Sequence, residues 1–123
     1  MKKIRFTVAI SAYNIETYVK RAIDSVLNQT FTNYELLVID DCSKDNTVQV
    51  IEEALSEKGI ILKTIKNSGT AAASRNIAID NAQGEYLLFL DGDDELYSKD
   101  TLKEVDELIK DNTYEIVYLG YEN

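Results

Sequence analysis

The chain has 123 residues, 45% apolar and 28% charged, which suits one globular domain with a real core, and no apolar run approaches the roughly 20 residues of a membrane-spanning helix. Its 13 Lys and Arg against 22 Asp and Glu leave a net charge of −9, which argues against a nucleic-acid groove and means that an anionic ligand must be met through a metal. With no His and a single cysteine, Cys42, the chain lacks the usual zinc ligands, any Ser–His or Cys–His catalytic pair and an intramolecular disulfide, and this fits a reducing, cytoplasmic compartment.

The N-terminus, Met1-Lys2-Lys3-Ile4-Arg5, is basic but too short and polar for a signal peptide. Residues 4–10 read as a first strand, followed by the loop Ser11-Ala12-Tyr13-Asn14. Asn14 is a candidate helix cap, with Glu16 in the first turn. Val19, Ala22, Ile23, Val26 and Leu27 then form an apolar stripe at helical spacing, closed by Asn28-Gln29-Thr30. Residues 34–39 read as a second strand, ending at Asp40-Asp41-Cys42-Ser43. Asp45 caps a helix with the stripe Thr47, Val50, Ile51, Ala54 and Leu55, and Gly59 is its expected C-cap residue. A third strand over 60–65 leads to Asn67-Ser68-Gly69. A third helix over 70–83 carries Ala72, Ala73, Ile77 and Ala82, with Gly84 as terminator. The apolar run Tyr86 to Leu90 is too short for a typical helix and reads as a buried fourth strand. A fourth helix begins at Ser98 or Asp100, with Leu102, Val105, Leu108 and Ile109 facing inward, and 114–119 read as a fifth strand.

Strands and helices that alternate at these lengths predict βαβ crossovers and a mostly parallel sheet. In such a sheet every strand-to-helix loop emerges at the same edge. The loops 11–14, 40–43, 67–69 and 91–94 therefore converge, and they hold most of the uncommitted polar residues. Ligands of open α/β sheets bind there, near a switch in strand order. The fourth loop, Asp91-Gly92-Asp93-Asp94, is ordinary turn chemistry on its own. Carboxylates so crowded repel one another unless a cation or hydrogen bonds satisfy them, and Mg²⁺ is commonly held by one or two carboxylates plus phosphates. The dinucleotide fingerprint and the Walker loop are absent. A calcium loop starting at Asp91 fails, because Leu96 and Leu102 stand where Gly and Glu are required.

Ala12-Tyr13-Asn14, the run Ser25 to Thr30, the run Asp40 to Asp45, Asn67-Ser68-Gly69, Ser74-Arg75-Asn76 and the run Gly84 to Asp94 occur in an order and spacing that resemble the nucleotide-sugar-binding part of family 2 glycosyltransferases. The resemblance runs from about Thr7 to Asp111. It implies the GT-A fold, a Rossmann-like three-layer α/β/α sandwich with a mostly parallel sheet, here truncated. It implies metal-assisted transfer of a sugar, with inversion, from a nucleoside diphosphate donor that is commonly UDP-linked, as in hexosyltransferases. The acceptor would be a glycan or a lipid-linked molecule. Asp91-Gly92-Asp93 matches the family's Asp-x-Asp motif. By resemblance Asp93 binds Mn²⁺ or Mg²⁺ at the diphosphate, and Asp91 contacts the ribose or the metal shell. Asp41 accepts from the uracil ring, Tyr13 packs on the base with Ser11 beside it, Asn67 belongs to the cofactor-binding set, and Arg75 lies near the nucleotide or braces the acidic loops.

Bland readings stand beside these. Asp40 reads as a structural hydrogen-bonder at a strand end, Asp45 as a cap, Tyr13 equally as core, Arg75 equally as an ion-pair partner, Asn67 as a turn residue and Cys42 as inert. Two positions depart from the family pattern: Ser11 where Pro is usual, and Cys42 where Gly is usual. The resemblance also places a general base, an Asp or Glu, in an acceptor half downstream, and only 29 residues follow Asp94. The expectation is a single donor-binding domain over 1–123, the N-terminal part of a longer enzyme. Any membrane association, peripheral in kind, would come through the remainder. Two other classes compete. One is a receiver-like signalling domain phosphorylated on Asp, although its acidic pair should follow the first strand. The other is an aspartyl phosphatase with Asp91 as nucleophile, for which the downstream chain leaves no room.

Overall fold

The computed structural model describes residues 3–64 and 70–110. Eight elements alternate: β1 (Phe6–Ala12), α1 (Val19–Leu27), β2 (Tyr34–Asp40), α2 (Thr47–Leu55), β3 (Ile60–Lys63), α3 (Ala71–Asn81), β4 (Tyr86–Asp91) and α4 (Thr101–Ile109). The four strands form one parallel sheet in the order β3-β2-β1-β4. A receiver-like sheet has the order 2-1-3, so that alternative is set aside. The predicted fifth strand over 114–119 lies outside the described residues.

Strand side chains alternate between faces, and β1 is buried on both because both are covered. Phe6, Val8, Ile10 and Ala12 pack with Val19, Ala22, Ile23 and Val26 of α1, Ile51 and Leu55 of α2, and Leu102, Val105 and Ile109 of α4. Ala9 of β1 and Leu37 and Ile39 of β2 meet Ala78 of α3 on the opposite face. Three helices thus cover one side and one helix the other. Right-handed crossovers require that α1 and α2, which step outward from β1 to β3, lie on one face, and that α3, which steps back from β3 to β4, lies on the other. The order reverses between β1 and β4, which makes the C-terminal ends of these two strands the switch point.

Several boundaries differ from expectation, each for a local reason. Asn14 does not cap α1: it sits at φ 50°, and the chain makes a turn closed on the Ile15 carbonyl before Val19 begins the helix. Gly59 is not the residue that ends α2. Ser56 and Glu57 take the left-handed conformation, at φ 45° and 69°. Gly59 is small because a Cβ there would stand 2.8 Å from Leu55 Cδ2 and 3.1 Å from the Leu36 carbonyl oxygen. Gly84 similarly lies against β1, where a Cβ would be 2.5 Å from the Thr7 nitrogen. In α3 the buried positions are Ser74 and Ala78, whereas Ala72 is exposed. Leu108 of α4 also faces outward.

The segment 25–30 has a structural role that its sequence did not reveal. Gln29 is buried, and its Nε2 donates to the Ser25 and Ser98 carbonyls at 2.9 and 2.6 Å. Its Oε1 accepts from the Leu102 amide at 2.9 Å, satisfying a donor in the first turn of α4. Ser25 Oγ accepts from the Leu96 amide at 3.0 Å, and the Thr30 hydroxyl donates to Asp100 Oδ1 at 2.6 Å. The end of α1 thereby clamps the chain just beyond β4.

Candidate functional site

The acidic loops meet at the end of β1. The amide of Asp41 donates to the Ala12 carbonyl at 2.9 Å, and that of Gly92 to the Ser11 carbonyl at 2.8 Å. Loops after β2 and β4 are thus pinned to two adjacent residues of β1, one on each flank. With neighbouring parallel strands about 4.8 Å apart, their backbones stand on the order of 10 Å from one another. Asp41 and Asp93 occupy one rim.

The loop after β4 turns at once. The Asp94 amide donates to the Asp91 carbonyl at 2.9 Å. Gly92 makes this possible by its lack of a side chain: a Cβ would stand 2.7 Å from the Ser11 carbonyl oxygen and 2.1 Å from Ile15 Cδ1. The turn gathers carboxylate oxygens of Asp91, Asp93 and Asp94 within 4.8 Å of one another, all three residues exposed. Oxygen-only donors of this kind suit a hard divalent cation, so the set fits Mn²⁺ or Mg²⁺. Asp94, named above only as part of the cluster, joins Asp91 and Asp93 as a potential ligand. Ser11 Oγ lies 3.5 Å from Asp91 Oδ1, at the outer limit of a hydrogen bond.

The Asp94 carboxyl is pushed above its ordinary range, by desolvation first and then by the neighbouring charges of Asp93 and Asp91, against a smaller opposing pull from Arg21. A raised carboxyl pKa in the folded chain means that the unfolded chain gives up this proton first. Stability from this group is present at low pH and falls as pH rises from the ordinary carboxylate value of 3.8 through the raised one. Asp94→Asn should therefore raise the melting temperature of the metal-free chain at pH 7 and remove the part of its pH dependence in which stability falls as pH rises above 3.8. Melts by circular dichroism in EDTA would read both, and an unchanged curve would refute the cause given.

The loop after β2 is held from below. Asp40 is buried and accepts from the Ser43 amide at 3.0 Å and the Ser43 hydroxyl at 2.5 Å, the structural role expected of it. Asp41 is also buried, and the Thr64 hydroxyl donates to its Oδ1 at 3.0 Å. Cys42 occupies the left-handed region at φ 61°, the conformation that glycine adopts without strain. Lys44 Nζ lies 3.7 Å from its sulfur. Asn14 fastens this loop to the one after β1: its amide donates to Ser43 Oγ at 3.0 Å and its Oδ1 accepts from the Lys44 amide at 2.8 Å. Asp45 Oδ1 accepts from the Thr47 amide at 3.0 Å, one residue ahead of the assigned cap Asn46. The hydrogen bond from the Thr47 hydroxyl holds the Asp45 carboxyl below its ordinary range.

Tyr13 is 43% exposed, so it is not core. Arg75 stands on α3 with its guanidinium 5.9 Å from the centre of the Phe89 ring, and no carboxylate partner is found for it among the described residues. Phe89 and Asp91 share a face of β4, which puts Arg75 on the same side of the sheet as Asp91. Asn67 lies outside the described residues. Arg21, which the sequence did not single out, reaches from α1 to the acidic loop: its Nη2 donates to the Asp93 carbonyl at 2.9 Å.

Comparison with known proteins gives a consistent result. The sequence model described as "Glycosyl transferase family 2" matches residues 7–122. The chain is 33% identical over 119 residues to the poly(ribitol-phosphate) beta-N-acetylglucosaminyltransferase TarS of Staphylococcus aureus, covering 94% of this chain and 21% of TarS. It is 34% identical over 117 residues to the putative teichuronic acid biosynthesis glycosyltransferase TuaG of Bacillus subtilis, covering 94% of this chain and 46% of TuaG. Among solved structures, S. aureus TarS 1-349 in complex with UDP superposes with a TM-score of 0.81 at 35% identity, over 87% of this chain and 32% of that one. TarS 1-349 in complex with UDP-GlcNAc also gives 0.81, at 36% identity, over 87% of this chain and 31% of that one. The mannosyltransferase PcManGT of Pyrobaculum calidifontis, in complex with GDP-Man and Mn²⁺, shares the fold at a TM-score of 0.74 and 23% identity, over 83% of this chain and 31% of that one. The chain spans less than half the length of the curated relatives TarS and TuaG.

Proposed function

Because this chain belongs to glycosyl transferase family 2, we propose that it is the donor-binding domain of an enzyme that transfers a sugar from a nucleoside diphosphate, UDP-linked, to a glycan or lipid-linked acceptor. One observation carries the reading: the Asp91, Asp93 and Asp94 carboxylates converge on the rim that also holds Asp41. The UDP and UDP-GlcNAc complexes of TarS support the choice of nucleotide.

In this reading Asp93 and Asp91 hold Mn²⁺ or Mg²⁺, with Asp94 beside them. When bound, the cation neutralises the charge that gathers on the departing diphosphate. Asp41, kept in place by Thr64, accepts from the base. Tyr13 offers its exposed ring to the base, and Ser11 lines the floor between the two acidic loops. Arg75 approaches the nucleotide from α3. Asn67 completes the set. The net charge of −9 favours a metal at the site, since the acidic loops repel a bare diphosphate more than a metal-bound one. Inversion at the anomeric carbon requires a base for the acceptor hydroxyl, and we assign that role to no residue of this chain. We place the reaction on the cytoplasmic side, with membrane contact, where it occurs, made by other parts of the enzyme.

Calorimetry of UDP with and without Mn²⁺ tests the reading. The expected result is binding that strengthens with Mn²⁺ and an Asp93→Ala variant in which the strengthening is lost. Equal affinity in that variant, or no binding of any nucleoside diphosphate, refutes the proposal. A screen of nucleotide sugars by thermal shift would then rank donors, because a ligand of the folded state raises its melting temperature.

A further inference from the structure

We infer that Arg21 is a positioning residue for the acidic loop, setting its affinity for the metal–diphosphate unit without touching that unit. The inference rests on the donor-binding reading above. The loop 91–94 is fixed on one side by the Gly92 amide on the Ser11 carbonyl, 2.8 Å away. On its other side the guanidinium of Arg21 crosses from α1. Nη2 donates to the Asp93 carbonyl at 2.9 Å, and Nε lies 3.8 Å from Glu95 Oε2. The Tyr18 ring lies beneath the guanidinium, 5.8 Å from Cζ to the ring centre. The arm stands on a rigid base, since Val19, Ala22, Ile23 and Val26 of α1 are fully buried.

The choice of acceptor is the informative part. Arg21 bonds a peptide carbonyl and not a carboxylate of the Asp91, Asp93 and Asp94 cluster. A hydrogen bond to the Asp93 carbonyl fixes the plane of the peptide between Asp93 and Asp94, and so the directions in which both side chains leave the backbone. The guanidinium charge is matched by Glu95, just outside the cluster. The planar fork of arginine serves both acceptors at once, which a lysine ammonium on a flexible stem does not. As an exposed ion pair the contact adds little to stability. Its effect is on geometry, and a metal held at several short distances is sensitive to geometry.

The test uses equimolar Mn²⁺ and UDP, titrated into the whole chain by calorimetry, beside UDP alone in EDTA. Arg21→Ala should weaken Mn²⁺–UDP binding about fivefold to tenfold, on the scale of one lost hydrogen bond of ordinary strength. It should leave UDP binding in EDTA unchanged. Arg21→Lys should recover only part of the loss. Glu95→Gln, an exposed change that keeps the fold, should weaken binding less, and the double variant should be no worse than Arg21→Ala alone. If Arg21 acts only as a positive charge that repels the metal, Arg21→Ala tightens Mn²⁺–UDP binding, and the inference is overturned. It is overturned equally if Arg21→Ala lowers the melting temperature in EDTA with Mn²⁺–UDP affinity intact, if affinity falls alike with and without metal, or if the effects of Arg21→Ala and Glu95→Gln simply add. A wild-type chain whose UDP binding ignores Mn²⁺ sinks the donor-binding reading instead.

Discussion

Gln29→Ala is expected to lower stability by about 3 kcal/mol, because the Leu102 amide and the Ser25 carbonyl lose their partner in a dry setting, and the Ser98 carbonyl keeps only Thr101. For a domain of this size that corresponds to a fall of roughly 12 °C in melting temperature. Gln29 is 6% exposed, so water does not readily replace its amide. Gln29→Glu separates the contributions: its carboxylate still accepts from Leu102 but cannot donate to the two carbonyls, and it introduces a buried charge. We expect that variant to be destabilised at least as much at pH 7 and to recover in part in acid, where protonation restores a donor. Melts by circular dichroism at pH 4.5 and 7 would measure this. A Gln29→Ala chain within about 1 kcal/mol of wild type, the net value of one ordinary hydrogen bond, would show that the clamp is not the structural link described.

Gly92→Ala is expected to damage both fold and site. The added methyl would meet the Ser11 carbonyl oxygen at 2.7 Å and Ile15 Cδ1 at 2.1 Å. Overpacking of this kind costs about 1–3 kcal/mol. The larger effect falls on the ligand. The loop can relieve the contact with Ser11 only by lifting off β1, which moves Asp91 and Asp93 relative to Asp41. Mn²⁺-dependent UDP binding should weaken at least tenfold, on the general scale by which small misplacements of a positioned group act. Combining Gly92→Ala with Ile15→Val removes the Cδ1 contact and leaves the one with Ser11. The pair should regain stability but little of the metal-dependent binding. Full recovery of binding would place the fault in Ile15 packing and not in the seat of the loop.

The sheet and its helices were legible because their signals are local. The α1 stripe of Val19, Ala22, Ile23 and Val26 is buried as a unit, and short apolar runs between turn residues became parallel strands. The acidic rim was legible for a related reason: parallel strands send their following loops to one edge. What escaped was set by distant partners. Asn14 looks like a cap, but its side chain is engaged by the Lys44 amide across the rim. Gly59 and Gly84 look like terminators, but each is small to admit a neighbouring segment. The alanine-rich α3 has almost no apolar contrast between its sides, so Ser74 was not expected inside and Ala72 was not expected outside. Gln29 and Arg21 act on residues about 70 positions away, and no window of sequence displays that pairing.

The two sides of the sheet are unequally guarded. Three helices bury large aliphatic side chains on one side, whereas α3 seats chiefly Ala78 and Ser74 on the other. Opening α3 uncovers Leu37 and Ile39 of the sheet but releases few large side chains of its own, and segments with fewer buried apolar contacts open below the global unfolding free energy. Among the described helices α3, which carries Arg75, is thus expected to exchange its backbone amide hydrogens ahead of α1 and α4.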